Sequence, residues 1–87
     1  MNIFLNVSEL EETTRKMFSI YSSTIFTRKH IELYFKKKKI YYNKKYLSYV
    51  LNKMKKRNEI VLLPIMNIKN ISGSGYQINR GYNVKTN

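Results

Sequence analysis

Residues 43–57, Asn43-Lys-Lys-Tyr-Leu-Ser-Tyr-Val-Leu-Asn-Lys-Met-Lys-Lys-Arg57, constrain this chain more than any other stretch. Leu47, Val50, Leu51 and Met54 recur at i, i+3, i+4 and i+7, which gathers four apolar side chains on one face of a helix. Asn43 suits the N-cap, because its side-chain oxygen accepts from the free backbone N–H groups of the first turn. The spacing therefore predicts a helix over 44–57 with one face buried. At roughly 100° per residue the opposite face is Lys45, Tyr49, Asn52 and Lys56, with Ser48 and Lys53 on its flanks. Cations, a phenol, a hydroxyl and an amide suit phosphates and the edges of bases. The stretch reads as a DNA-recognition helix.

The charge balance points the same way. The 87 residues carry 17 Lys and Arg against five Glu, a net charge of +12. A chain rich in Lys, Asn, Ile and Tyr and without Ala fits an AT-rich genome, but that bias raises Glu as well as Lys. The imbalance is also local: residues 28–57 hold twelve basic side chains and one acid, Glu32, whereas Glu9, Glu11 and Glu12 sit together near the N-terminus. A field confined to one region calls for a polyanionic partner there.

The length fits a single domain, 1–87, with a modest core. Without cysteine there is no disulfide, thiolate metal site or thiol chemistry, and the lone His30 argues against a histidine metal site. His30 reads as a surface or partly packed helix residue. No nucleophile has a general base in its sequence context and the carboxylates form no acid–base pair, so neither enzymatic activity nor a cofactor is expected. No apolar run reaches the roughly 18 residues of a membrane span, and a cytoplasmic location is expected.

Taken in order, Met1–Val7 is an apolar arm. Ser8-Glu9-Leu10-Glu11 reads as a capping box, which predicts a first helix over about 9–22 burying Leu10, Thr14, Met17, Phe18 and Tyr21. Ile25-Phe26 suits a very short strand. Thr27 caps a second helix over about 28–38 with Ile31, Tyr34 and Phe35 on one face; Leu33 points elsewhere and fits a dimer contact. Lys36, Lys37, Lys38 and Lys39 close this helix, where they either complement its dipole or meet phosphates. Ile40-Tyr41-Tyr42 reads as a turn into the 44–57 helix.

Asn58 suits the left-handed conformation that ends a helix. Ile60-Val-Leu-Leu-Pro-Ile-Met66 is a strand candidate, an edge or bulge at Pro64. Residues 67–75 read as a polar loop, Tyr76-Gln-Ile-Asn79 as the returning strand, and 83–87 as a polar tail. The expected fold class is α+β.

Three helices followed by a hairpin with a Gly/Ser loop is an order similar to the winged helix-turn-helix family. The stretches that carry it are Leu47-x-x-Val50-Leu51-x-x-Met54-Lys-Lys-Arg-Asn-Glu-Ile60 and Gly73-Ser-Gly-Tyr-Gln-Ile78, and the resemblance covers residues 8–82. It implies a third helix in the major groove and a wing on the backbone or an adjacent groove. In size the chain also resembles the centromere-binding adaptors of tubulin-like type III partition systems. That resemblance implies a dimer on repeated sites and a filament-forming GTPase partner; the other implied role is transcriptional repressor.

The base-edge candidates are Lys45, Ser48, Tyr49 and Asn52, although the same residues also suit a plain solvated helix face. Lys36–Lys39, Lys44, Lys53, Lys56 and Arg57 are phosphate candidates, with Asn43 at the helix start and Tyr42 and Tyr46 beside them. The wing would contribute Lys69, Asn70, Ser72, Ser74 and Arg80. The expected partners are double-stranded DNA and a second copy of the chain, seamed through Met1–Val7 and the outer side of the first helix. Two readings compete: an RNA or single-strand binder that stacks bases on tyrosines, and a peripheral binder of anionic membranes. No face joins a strong apolar stripe to the cations, so no membrane partner is expected.

Overall fold

The computed structural model describes residues 3–66 and 71–79, and its first helix starts two residues before the Ser8 box predicts. Helix α1 spans Val7–Ile20, and its cap is Asn6. The Asn6 side chain accepts from the Glu9 N–H at 2.8 Å, and the Glu9 carboxylate accepts from the Asn6 N–H at 3.0 Å. Asn caps at least as well as Ser, and this register frees the Glu11 carboxylate for other partners. Leu10, Thr14, Met17 and Phe18 are buried as the spacing predicts. Thr14 satisfies its hydroxyl by donating to the Leu10 carbonyl at 2.7 Å. Tyr21 falls at the C-cap instead and is exposed.

Helix α2, Arg28–Lys37, is capped by the Thr27 hydroxyl, which accepts from the His30 N–H at 3.1 Å. Its core side is Ile31 and Phe35; Tyr34 is half-buried. Lys38 ends the helix, and Lys39 takes a left-handed φ of 57° that turns the chain into the next element. That element is strand β2, Ile40–Tyr41, in place of the expected turn. Its partner is the N-terminal arm: strand β1, Ile3–Phe4, runs parallel to it with Ile3 opposite Ile40 and Phe4 opposite Tyr41. The Leu5 N–H donates to the Tyr41 carbonyl at 2.8 Å, and the Leu5 side chain is buried in the core. The arm thus has a place within its own chain through β1 and Leu5, while Phe4 stays exposed.

Helix α3, Lys44–Lys56, follows the Asn43 cap, whose side chain accepts from the Lys45 N–H at 2.9 Å. Leu47, Val50, Leu51 and Met54 are all buried. Asn58 has a φ of 63°, and the Glu59 N–H returns to the Met54 carbonyl at 2.9 Å while the Asn58 N–H meets the Lys55 carbonyl at 3.0 Å. This pair of bonds satisfies carbonyls that the helix end would leave open.

Strands β3, Ile60–Met66, and β4, Ile71–Ile78, form an antiparallel hairpin, with Ile60 opposite Ile78 and an irregularity between Ile65 and Met66. The returning strand starts earlier than expected and takes in most of the predicted polar loop. Ser74 lies in it, opposite Pro64. Phe26 bridges β4 from the other side, exchanging bonds of 2.7 Å each way with Tyr76. This bridge is what becomes of the expected Ile25-Phe26 strand. It ties the turn between α1 and α2 to the hairpin.

The core lies where α1, α2, α3 and the start of β3 meet: Leu10, Met17, Phe18, Ile31, Phe35, Leu47, Leu51, Met54 and Ile60 are almost wholly enclosed. Among the described residues this is a small α+β domain of three helices followed by a two-stranded antiparallel sheet, an order compatible with a winged helix-turn-helix layout.

Candidate nucleic-acid interface

With Leu47, Val50, Leu51 and Met54 holding α3 to the core, Lys45, Tyr49, Asn52 and Lys56 are all exposed on the outward side. The two flanks of that side are occupied differently. On one, Arg28 at the start of α2 reaches α3: its Nη1 donates to the Ser48 hydroxyl at 2.9 Å and its Nη2 to the Lys44 carbonyl at 3.1 Å. A third bond runs from Nε to Glu32 at 3.1 Å, which holds the guanidinium in place. Ser48 is therefore already engaged, and Arg28 is a contributor that helical spacing alone does not reveal.

On the other flank, α1 presents acids. Glu11 meets Lys53 at 3.3 Å, Arg57 at 3.1 Å and Arg15 at 2.8 Å. Arg15 also binds Glu59 at 2.7 Å, and Glu59 is buried at the start of the hairpin. The Arg15 hydrogen bond, with Lys53 behind it, holds the Glu11 carboxyl below its ordinary range against the opposing effect of burial. Glu59 in turn pushes the Arg15 guanidinium upward. This cluster ties α1, the end of α3 and β3 together. Of the predicted phosphate contacts, it draws Lys53 and Arg57 toward carboxylates. Lys53 also lies over the Tyr49 ring, at 5.8 Å from its centre.

Every glutamate has a local assignment. Glu9 caps α1, Glu11, Glu12 and Glu59 face Arg15, and Glu32 faces Arg28. Among the described residues, Lys36–Lys39, Lys44, Lys45, Lys55 and Lys56 are exposed with no glutamate partner. A cation without an internal partner keeps its full field for an external anion. Lys38 additionally rests over the Tyr34 ring, 5.3 Å from its centre.

The remaining candidates divide. The Asn43 side chain is used by its cap, so its oxygen is already bonded. Tyr42 is half-buried with its ring edge-on to Phe35 at 5.2 Å, and burial, then Glu32, raises its phenol above the ordinary value. Tyr46 is exposed on α3, and Ser74 is exposed on β4. Lys69, Asn70 and Arg80 lie outside the described residues, as does the predicted tail. Ser72 lies in β4. Among the described residues no three His, Cys, Asp or Glu side chains gather as a metal site needs. No described helix is long and apolar enough to cross a membrane.

Compared with family models, characterised proteins and solved structures, the chain matches none.

Proposed function

We propose that this chain is a winged helix-turn-helix protein that binds double-stranded DNA sequence-specifically in the cytoplasm. In this reading α3 enters the major groove and the β3–β4 hairpin lies on the backbone or in the minor groove. The observation that carries it is the outward face of α3. Lys45, Tyr49, Asn52 and Lys56 stand exposed between a flank fixed by Arg28 and a flank fixed by Glu11. Locked flanks hold the helix rigid, which direct reading of base edges requires. Asn52 is the adenine reader, Lys45 and Lys56 meet guanine acceptors or phosphates, and Lys36–Lys39 and Lys44 hold the backbone. Two copies reading half-sites about 34 Å apart would double the readout. The biological role is a repressor or a partition adaptor with a filament-forming GTPase as second partner.

The test is a binding titration of wild type and Asn52→Ala on a selected duplex, random duplex, single strands and RNA. Asn52→Ala is expected to lose about tenfold or more on the selected site, as one bidentate base contact is worth about 1–3 kcal/mol. Random duplex binding should hardly move. Equal loss on both duplexes removes the base-reading role. Tighter binding to single strands or RNA replaces the proposal with a stacking mode.

A further inference from the structure

Leu33 is an apolar residue of α2 that helical spacing leaves outside the core. It is 44% exposed and lines a surface groove of about 460 Å³ between α2, β2 and the start of α3. Ile40 and Tyr41 complete an apolar floor, and Tyr41 is 47% exposed. Phe4, 71% exposed, is the strand neighbour of Tyr41 in β1, so the apolar surface continues past the groove. Lys29, Lys36 and Lys44 surround the groove. Its one acid, Glu32, is held by Arg28 at 3.1 Å.

Exposed Leu, Tyr and Phe side by side mark a surface that a partner covers. The charge selects among partners. A second copy brings a net +12 of its own, and like charges around the groove oppose its seating. Phosphates would satisfy the lysines but leave the leucine and the aromatic rings uncovered. A peptide with carboxylates on both sides of an apolar anchor satisfies both. We propose that this groove binds a short acidic segment of a partner protein. Its apolar side chain rests on Leu33 and Tyr41, and its carboxylates turn to Lys29, Lys36 and Lys44. This does not rest on the nucleic-acid reading, although Lys36 and Lys44 belong to both surfaces.

The experiment uses the full chain and a fluorescent peptide in which a Leu-Phe pair is flanked by aspartates, read by anisotropy without nucleic acid. The peptide should bind, and Leu33→Ser should weaken it about tenfold, the effect of losing one apolar anchor. Lys29→Glu with Lys36→Glu should weaken it further, whereas Ile20→Ser, at an exposed site on α1, should not. Leu33 and Ile20 are both surface residues, so circular dichroism should be unchanged in each variant. In parallel, methyl and amide spectra should show the peptide shifting Leu33, Tyr41 and Phe4. The proposal is overturned if the peptide does not bind, or if a Ser-Ser version binds equally well. It is also overturned if duplex DNA shifts the Leu33 and Phe4 signals and the peptide does not.

Discussion

The Arg28 guanidinium donates to the Ser48 hydroxyl across 2.9 Å and so joins the first turn of α2 to the flank of the outward face of α3. Arg28→Gln cannot span the three acceptors on Glu32, Ser48 and the Lys44 backbone. These bonds are largely exposed, so the expected loss of stability is modest, about 1 kcal/mol in urea unfolding. The sharper readout is local: amide exchange in the first turns of α3 should accelerate relative to α1. Unchanged exchange there would mean that the core face alone holds the helix.

Lys37 and Lys38 test the proposed hold on a DNA backbone. Each phosphate-bound lysine releases roughly one counterion, so replacing both by Ser should flatten log affinity against log salt by about one unit for every phosphate left without its lysine. Selected and random duplexes should weaken alike. Lys38 also rests on Tyr34, so Lys37→Ser alone should change the salt slope with no change in stability. A slope that stays at the wild-type value places these lysines off the DNA.

Gly75 is where the hairpin meets Phe26. A Cβ there would collide with the Ile25 methyl and lie 3.1 Å from Ile65 and 3.3 Å from the Phe26 carbonyl. Gly75→Ala should cost about 1–2 kcal/mol through crowding. Ile25→Ala in the same chain should recover part of it by removing the colliding methyl. Gly73→Ala meets no such neighbours, but its φ of 144° is one that L side chains rarely adopt. It should destabilise with no rescue from Ile25→Ala. Denaturant midpoints of the single and double variants separate the two causes.

Glu11 predicts a pH dependence. Its carboxyl titrates lower in the folded chain than its ordinary value of about 4.3, because Arg15 and then Lys53 favour the charged form. The stability it contributes is therefore complete above that ordinary value and disappears as pH falls through the lower folded one. Glu11→Gln should be less stable than wild type at neutral pH by about 1–2 kcal/mol, since three cations lose their shared acid. The gap should close on acidification. A gap constant into acid would assign the effect to packing rather than charge.

Much of this protein follows from local pattern. The buried stripe of α3, the Asn43 and Thr27 caps and the left-handed Asn58 each depend on residues a few positions apart. Helical geometry and backbone hydrogen bonding settle such relations without the rest of the chain. The first capping box shows where that logic is degenerate: Asn6 and Ser8 both precede a glutamate at the right distance, and the local pattern does not rank them.

Other features lie beyond any local pattern. Two-residue strands carry no periodicity, so the pairing of Ile3-Phe4 with Ile40-Tyr41 and of Phe26 with Tyr76 arises only when the helices bring them together. Lys53 and Lys56 are equivalent as cations on one helix. Only the packing of α1 brings Glu11 to Lys53 and leaves Lys56 without an acid. Arg28 and Ser48, twenty residues apart, meet for the same reason. Local sequence determined which helices form and most of the residues that they bury. Tertiary packing decided which charges pair inside the molecule and which stay exposed without an acid, because an ion pair depends on distance in space and not along the chain.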